Sequence, residues 1–307
     1  MRRSNNRALR RADGSLPCVG RGRDVEAVTR TVHRISSIRW RLIRDGRRSP
    51  SWNMAVDEAI MKAHSKGMVP PTLRLYGWNP PAVSIGHFQS LEREVDLDAC
   101  RRMGIGWVRR PTGGRAVLHE HEVTYSVVVS EELLPGGVLE TYCILSRGIV
   151  HGLRSLGLEV EMAQGPFHEK ARNDASSACF DAPSWYEVMC GGKKIVGSAQ
   201  TRRDGVILQH GSVVIRLDPE RTISALRFAS EETRRAAIER LNARATGIGQ
   251  ILNRPVGYGE VCAAIVRGFE EGLGIEFEEG ELTPAEETEG RLLETSKYDS
   301  DAWNRRR

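Results

Sequence analysis

Gly191-Gly192 stands between two short strand-like runs, 186–190 and 193–196. Two adjacent glycines reach the positive-φ pair that a two-residue hairpin turn needs, so the runs should return on one another as antiparallel strands. Further runs read as strands at 39–43, 72–76, 82–85, 106–109, 116–129 and 159–162, with one or two more within 206–217. Helices are expected near 51–65, 96–103 and 139–156. In the last, Leu145, Ile149 and Leu153 stand four apart and Gly157 is the stop signal. From Ser230 onward the chain reads as helical. Thr283-Pro284-Ala285-Glu286 joins an N-cap, a proline at the first helical position and a capping-box glutamate. Strands outnumber the central helices and adjacent ones read as hairpin-linked. The expected fold is α/β of the α+β kind: a mixed, largely antiparallel sheet flanked by helices, and not a doubly wound parallel sheet.

Charge divides the chain. Nine arginines against Asp13, Asp24 and Glu26 give residues 1–37 a net +6, so the remainder carries −1 of the total +5. Residues 1–37 hold few large apolar residues and show no clear period, so they are expected to be a disordered basic extension. The basicity belongs to that extension, and nucleic-acid binding is not expected of the body. No apolar run approaches the ~20 residues that span a bilayer, and no signal-peptide core is visible. The six cysteines, at 18, 100, 143, 179, 190 and 262, form no CxxC pair, which suits free thiols and a cytoplasmic protein. No exposed apolar stripe demands a dimer, and a monomer is expected.

Cys179 follows a polar stretch, 164–177, whereas Cys100, Cys143, Cys190 and Cys262 fall in apolar-periodic elements and read as core thiols. Lys194 lies fifteen residues beyond Cys179, across the hairpin. A nearby ammonium favours thiolate, so the pair suggests acyl transfer through a thioester. Arg109-Arg110-Pro111-Thr112-Gly113-Gly114-Arg115 places two glycines, which let a ligand lie against the backbone, among arginines suited to a phosphate or an acidic partner. It matches neither the Walker loop nor the dinucleotide fingerprint. In His119-Glu120-His121-Glu122 the two histidines would share one face of a strand, but without a third ligand no metal site is expected.

Several motifs occur in an order that resembles the lipoate–biotin ligase superfamily, and within it the cysteine-dependent octanoyltransferases of the LipM type. They are Trp-Asn-Met-Ala at 52–55, Leu-Tyr-Gly-Trp-Asn-Pro at 75–80, the arginine–glycine loop at 109–115 and Cys-Phe-Asp-Ala-Pro-Ser-Trp-Tyr-Glu at 179–187. Lys-Ile-Val-Gly-Ser-Ala-Gln-Thr-Arg at 194–202, Leu-Gln-His-Gly-Ser at 208–212 and Lys-Tyr-Asp-Ser-Asp-Ala-Trp-Asn at 297–304 follow. The resemblance implies a ligase-like catalytic domain over 38–255, with 256–307 as a helical segment packed on it. It implies that Cys179 carries the acyl group and that Lys194 lowers its pKa. Arg109, Arg110, Gly113, Gly114, Arg115, His119, Gly197, Ser198, Ala199 and His210 would line the acyl and donor pocket. The implied donor is octanoyl-acyl carrier protein, and the implied acceptor a lipoyl-domain lysine such as that of glycine cleavage H protein, with no cofactor. Glu120 departs from the pattern, which has aspartate there. An ATP-dependent lipoate ligase and an amidotransferase between lipoyl domains are the rival readings.

Overall fold

The computed structural model describes residues 23–163 and 187–306. Its strands are β1 (Arg39–Arg48), β2 (Thr72–Trp78), β3 (Ala82–Ile85), β4 (Gly106–Arg109), β5 (Val117–His119), β6 (Glu122–Ser130), β7 (Val160–Ala163), β8 (Glu187–Cys190), β9 (Lys193–Arg203), β10 (Val206–Val214) and β11 (Glu276–Glu279). Eight of them form one sheet in the order β11-β1-β2-β6-β10-β9-β8-β7, and a smaller sheet runs β4-β3-β5. In the large sheet β1 pairs parallel to β2 and to β11, and every other pairing is antiparallel. This is the mixed, largely antiparallel sheet expected from the sequence. Gly191 and Gly192 make the β8–β9 turn with φ of 56° and 74°.

Helices Val138–Ser155 and Tyr258–Leu273 cover one face of the large sheet. They approach closely because their contact is lined by glycine: a Cβ on Gly152 would lie 2.2 Å from the Ala264 carbonyl oxygen. Leu145, Ile149, Ile265 and Phe269 join Leu73, Tyr125 and Val127 in one core. Helix Pro50–Ser65, capped by Ser49, packs on the opposite face through Val56 and Ile60. The small sheet lies on that second face too, and the functional cavity opens between the two sheets.

Four expectations are corrected. The 116–129 run is not one strand. It bends at Glu120-His121 into β5 and β6, which belong to different sheets; the His121 carbonyl accepts from the amides of Ile215 and Arg216 and fixes the bend. The C-terminal region is not wholly helical, since β11 adds an edge strand beside β1. The 1–37 extension is not disordered throughout. Residues Arg23–Ser36 form a helix whose Val28, Thr31 and Ile35 are buried, and Trp40 Nε1 donates to the Ile35 carbonyl at 2.9 Å. Finally, Cys100, Cys190 and Cys262 are buried free thiols as expected, but Cys143, also buried, is disulfide-bonded.

Candidate active site

A cavity of about 280 Å³ is walled by Met54, Tyr76, Trp78 and Val117 on its apolar side. Of the residues expected to line a pocket, Arg110, Gly114, Arg115, His119, Gly197, Ser198, Ala199 and His210 do so, and Lys194, expected to act on the cysteine, joins them; Arg109 and Gly113 do not line it. Antiparallel registry explains the convergence. Gly197 pairs with Ser212 and Ala199 with His210, while Ser212 faces Thr124 and His210 faces Ser126 on β6. Side chains two apart then point to one face of the sheet. Small residues at 197 and 199 leave the space open.

Lys194 is buried at the cavity wall, and its Nζ donates to Glu187 Oε1 at 2.8 Å. The hairpin thus places an ammonium in the pocket and holds it with a carboxylate from the adjacent strand. Cys179 lies outside the described residues.

Arg109 is a correction. It is fully buried, and its guanidinium donates to six backbone carbonyls: those of Gly86, His87, Gln89, Trp303, Asn304 and Arg306. Burial and the Arg306 charge lower its pKa. It clamps the 86–89 loop to the C-terminal segment instead of facing a ligand. Arg110 reaches the cavity and also shapes its own loop. Nη1 donates to the Ser84 carbonyl and hydroxyl, each at 3.0 Å, and Nη2 donates to the carbonyls of Gly113 and Arg115, each at 2.8 Å. Gly113 therefore serves through its carbonyl.

Gly86 is a residue the sequence reading missed. A Cβ there would stand 1.9 Å from the Gly114 carbonyl oxygen. Gly86→Ala must push the glycine loop away from β3, and we expect a loss of about 1–3 kcal/mol in denaturant unfolding together with weakened acyl loading.

Two histidine–carboxylate pairs sit beneath the cavity. Fully buried Asp57 accepts from Arg74 Nη1 at 2.8 Å, Tyr76 Oη at 3.0 Å, Ser126 Oγ at 2.8 Å and His210 Nδ1 at 3.3 Å. Burial pushes its carboxyl up, but the His210 hydrogen bond and the Arg74 charge outweigh that and hold its pKa below the usual range. Burial lowers the His210 pKa, and Asp57 only partly offsets this. With Nδ1–H given to Asp57, His210 Nε2 accepts from Thr112 Oγ1 at 2.6 Å.

The second pair is His119 Nδ1 with Glu122 Oε1, 2.8 Å apart. His119 Nε2 lies 2.8 Å from Ser84 Oγ, and the imidazole stacks on Trp78 at 4.1 Å between centroids. Thr124 and Ser212 hydroxyls also bond Glu122. The expectation that His119 and His121 share a face is corrected: the bend buries His119 and leaves His121 exposed beside Arg216. Glu120 forms a two-point ion pair with Arg221 Nε, at 2.7 and 2.9 Å, outside the cavity. Ser84 and Thr124 stood in no motif, Ser212 closed the 208–212 motif without a role, and strand registry brings the three together.

Residues 49–270 match the lipoyl protein ligase A/B catalytic domain, a span that holds every cavity-lining side chain from Met54 to Ser212. The octanoyltransferase LipM of Kyrpidia tusciae is 52% identical over 272 residues, which cover 87% of this chain and 99% of that protein. The chain belongs to the LipM octanoyltransferase family. The LipM protein of Symbiobacterium thermophilum is 49% identical over 87% of the chain and 98% of its own length. Among solved structures, the bipartite lipoate protein ligase of Thermoplasma acidophilum superposes with a TM-score of 0.72 at 29% identity, covering 87% of this chain and 95% of that one. A lipoate-protein ligase A crystallised with ATP gives 0.70 at 31% identity, covering 87% of this chain and 97% of that one. The LipM assignment makes this chain an acyltransferase on a ligase-like fold. Among the described residues, no helix is long and apolar enough to cross a membrane.

Proposed function

We propose that the enzyme takes octanoyl from octanoyl-acyl carrier protein onto Cys179 and passes it to a lipoyl-domain lysine, with glycine cleavage H protein as the acceptor. The observation that carries this reading is the cavity itself, with apolar walls for a chain and the buried ammonium of Lys194 at its side. The Cys-Phe-Asp-Ala-Pro-Ser-Trp-Tyr-Glu motif at 179–187 and the LipM relatives support it. Catalysis is assigned to 38–255, with 256–307 packed on that unit.

A free thiol with pKa of about 8.5 is mostly protonated near pH 7, and the Lys194 charge favours the thiolate. The thiolate attacks the donor carbonyl, the carbonyl–sulfur bond of the carrier breaks, and octanoyl-Cys179 forms. The acceptor amine then attacks that carbonyl, giving an amide and restoring the cysteine. One thioester replaces another at little cost, and amide formation runs downhill, so no nucleotide is consumed.

The test is intact-protein mass spectrometry after mixing enzyme with octanoyl-acyl carrier protein, without ATP. The reading requires an octanoyl mass that hydroxylamine removes and that a lipoyl domain collects. Modification of the lipoyl domain only with free octanoate and ATP would make the enzyme a ligase. Lys194→Met is expected to slow loading roughly a hundredfold near pH 7 and to recover partly at higher pH, where more cysteine ionises unaided. Stopped loading assays across pH check this.

A further inference from the structure

The acceptor lysine arrives as an ammonium ion and must lose a proton before it can attack. Building on the thioester reading, we propose that Ser84, His119 and Glu122 form the relay that removes that proton.

Hydrogen-bond polarity fixes its direction. Trp78 Nε1–H can only donate, and it donates to Thr124 Oγ1 at 2.8 Å. Thr124 therefore turns its own proton toward Glu122, where Ser212 also donates. A carboxylate receiving these donors is an acceptor toward His119 as well, so His119 Nδ1 carries the hydrogen. In a neutral imidazole the other nitrogen is then the acceptor, and Ser84 Oγ–H points to Nε2. Arg110 Nη1 occupies one Ser84 oxygen lone pair, and the remaining one is available to the cavity that Ser84 lines.

An ammonium N–H placed there hands its proton to Ser84 Oγ as Ser84 hands its own to His119 Nε2. The imidazolium that forms is held by Glu122 on one side and by the Trp78 ring face on the other. The neutral amine attacks octanoyl-Cys179. Its second proton goes to the departing thiolate, and His119 returns its proton to water. Arg110 bonds Ser84 directly, and Arg115 and Lys194 line the same cavity, Lys194 with its charge paired to Glu187. Among the described residues Glu122 is the carboxylate bonded to His119, and burial lowers the pKa of neighbouring His210.

The Asp57–His210 pair has similar chemistry but leads elsewhere. His210 Nε2 is taken by Thr112, which is buried and absent from the cavity wall. That pair pins the glycine loop.

The test is a single-turnover chase from octanoyl-loaded enzyme, with a lipoyl domain or with hydroxylamine as nucleophile. Hydroxylamine is already neutral near pH 7 and needs no base. For His119→Asn and Ser84→Ala the expected result is transfer to the lipoyl domain slowed about a hundredfold at pH 7. It should rise tenfold per pH unit, while hydroxylamine cleavage stays within twofold of wild type. Equal slowing of both nucleophiles would show a displaced thioester and overturn the relay, as would unslowed transfer to the lipoyl domain. Failure of wild-type enzyme to load at all would instead sink the thioester reading beneath it.

Discussion

Cys179→Ala is expected to lower octanoyl transfer by about 10⁴-fold or more and to remove the hydroxylamine-sensitive adduct entirely. Deleting a covalent nucleophile removes the step that later groups act on, so losses of that order follow wherever the remaining groups work as a unit with it. The substitution should leave the fold intact. The core runs through Leu73, Tyr125, Val127, Leu145, Ile265 and Phe269, none of them in the 179–187 motif. The measurement is mass spectrometry of mutant and wild type under identical loading, with a denaturant melt beside it. Retained transfer with an unchanged melt would exclude the thioester route. A serine in place of Cys179 separates two causes, because it preserves size and loses the easily ionised sulfur.

The largest stability effect should come from Asp57→Asn. Asp57 is fully buried and accepts from Arg74, Tyr76, Ser126 and His210. Removing its charge leaves Arg74 with one bonded carboxylate among the described residues, Asp45 at 2.6 Å from Nη2, beside the neutral oxygens of Asn53, and asks an amide to receive donors that a carboxylate received. Breaking a buried charge pair from one side typically costs about 3–5 kcal/mol. The pH dependence follows from the lowered pKa of Asp57. A depressed folded value means the carboxylate stabilises the fold above the unfolded pKa of about 3.9, and this contribution disappears as pH falls through the native value. Urea unfolding of wild type and Asp57→Asn should therefore differ most near neutrality and converge in acid. A constant gap across that range would mean that shape, not charge, sets the cost.

Two regions show why parts of the fold escaped the sequence. In the N-terminal extension, Val25, Val28, Val32 and Ile35 are spaced three, four and three apart, a helical stripe hidden by the arginines between them. The burial of Val28 and Ile35 shows which signal governed. β11, Glu-Phe-Glu-Glu, carries almost no apolar pattern. It exists because β1 offers an open edge of backbone donors and acceptors, which no local propensity reports. The 116–129 run kept strand character throughout, and the bend at 120–121 came from bonds made by residues 215 and 216.

Local rules determined the rest from sequence alone. The Gly191-Gly192 turn, the Thr283 capping box and the stripe of Leu145, Ile149 and Leu153 each depend on residues within a few positions of one another. The motifs named most of the cavity wall, since conformationally free glycines and titratable side chains are visible wherever they stand. Tertiary structure decided what those side chains do. Arg109 and Arg110 are adjacent in sequence, yet strand alternation sends one into the carbonyl cluster of the C-terminal strap and the other into the cavity. His119 sits between Ser84 and Glu122 because registry brings Glu122, Thr124 and the β10 residue Ser212 to its side. Hydrogen-bond partners from different strands are set by registry, and registry belongs to the whole sheet.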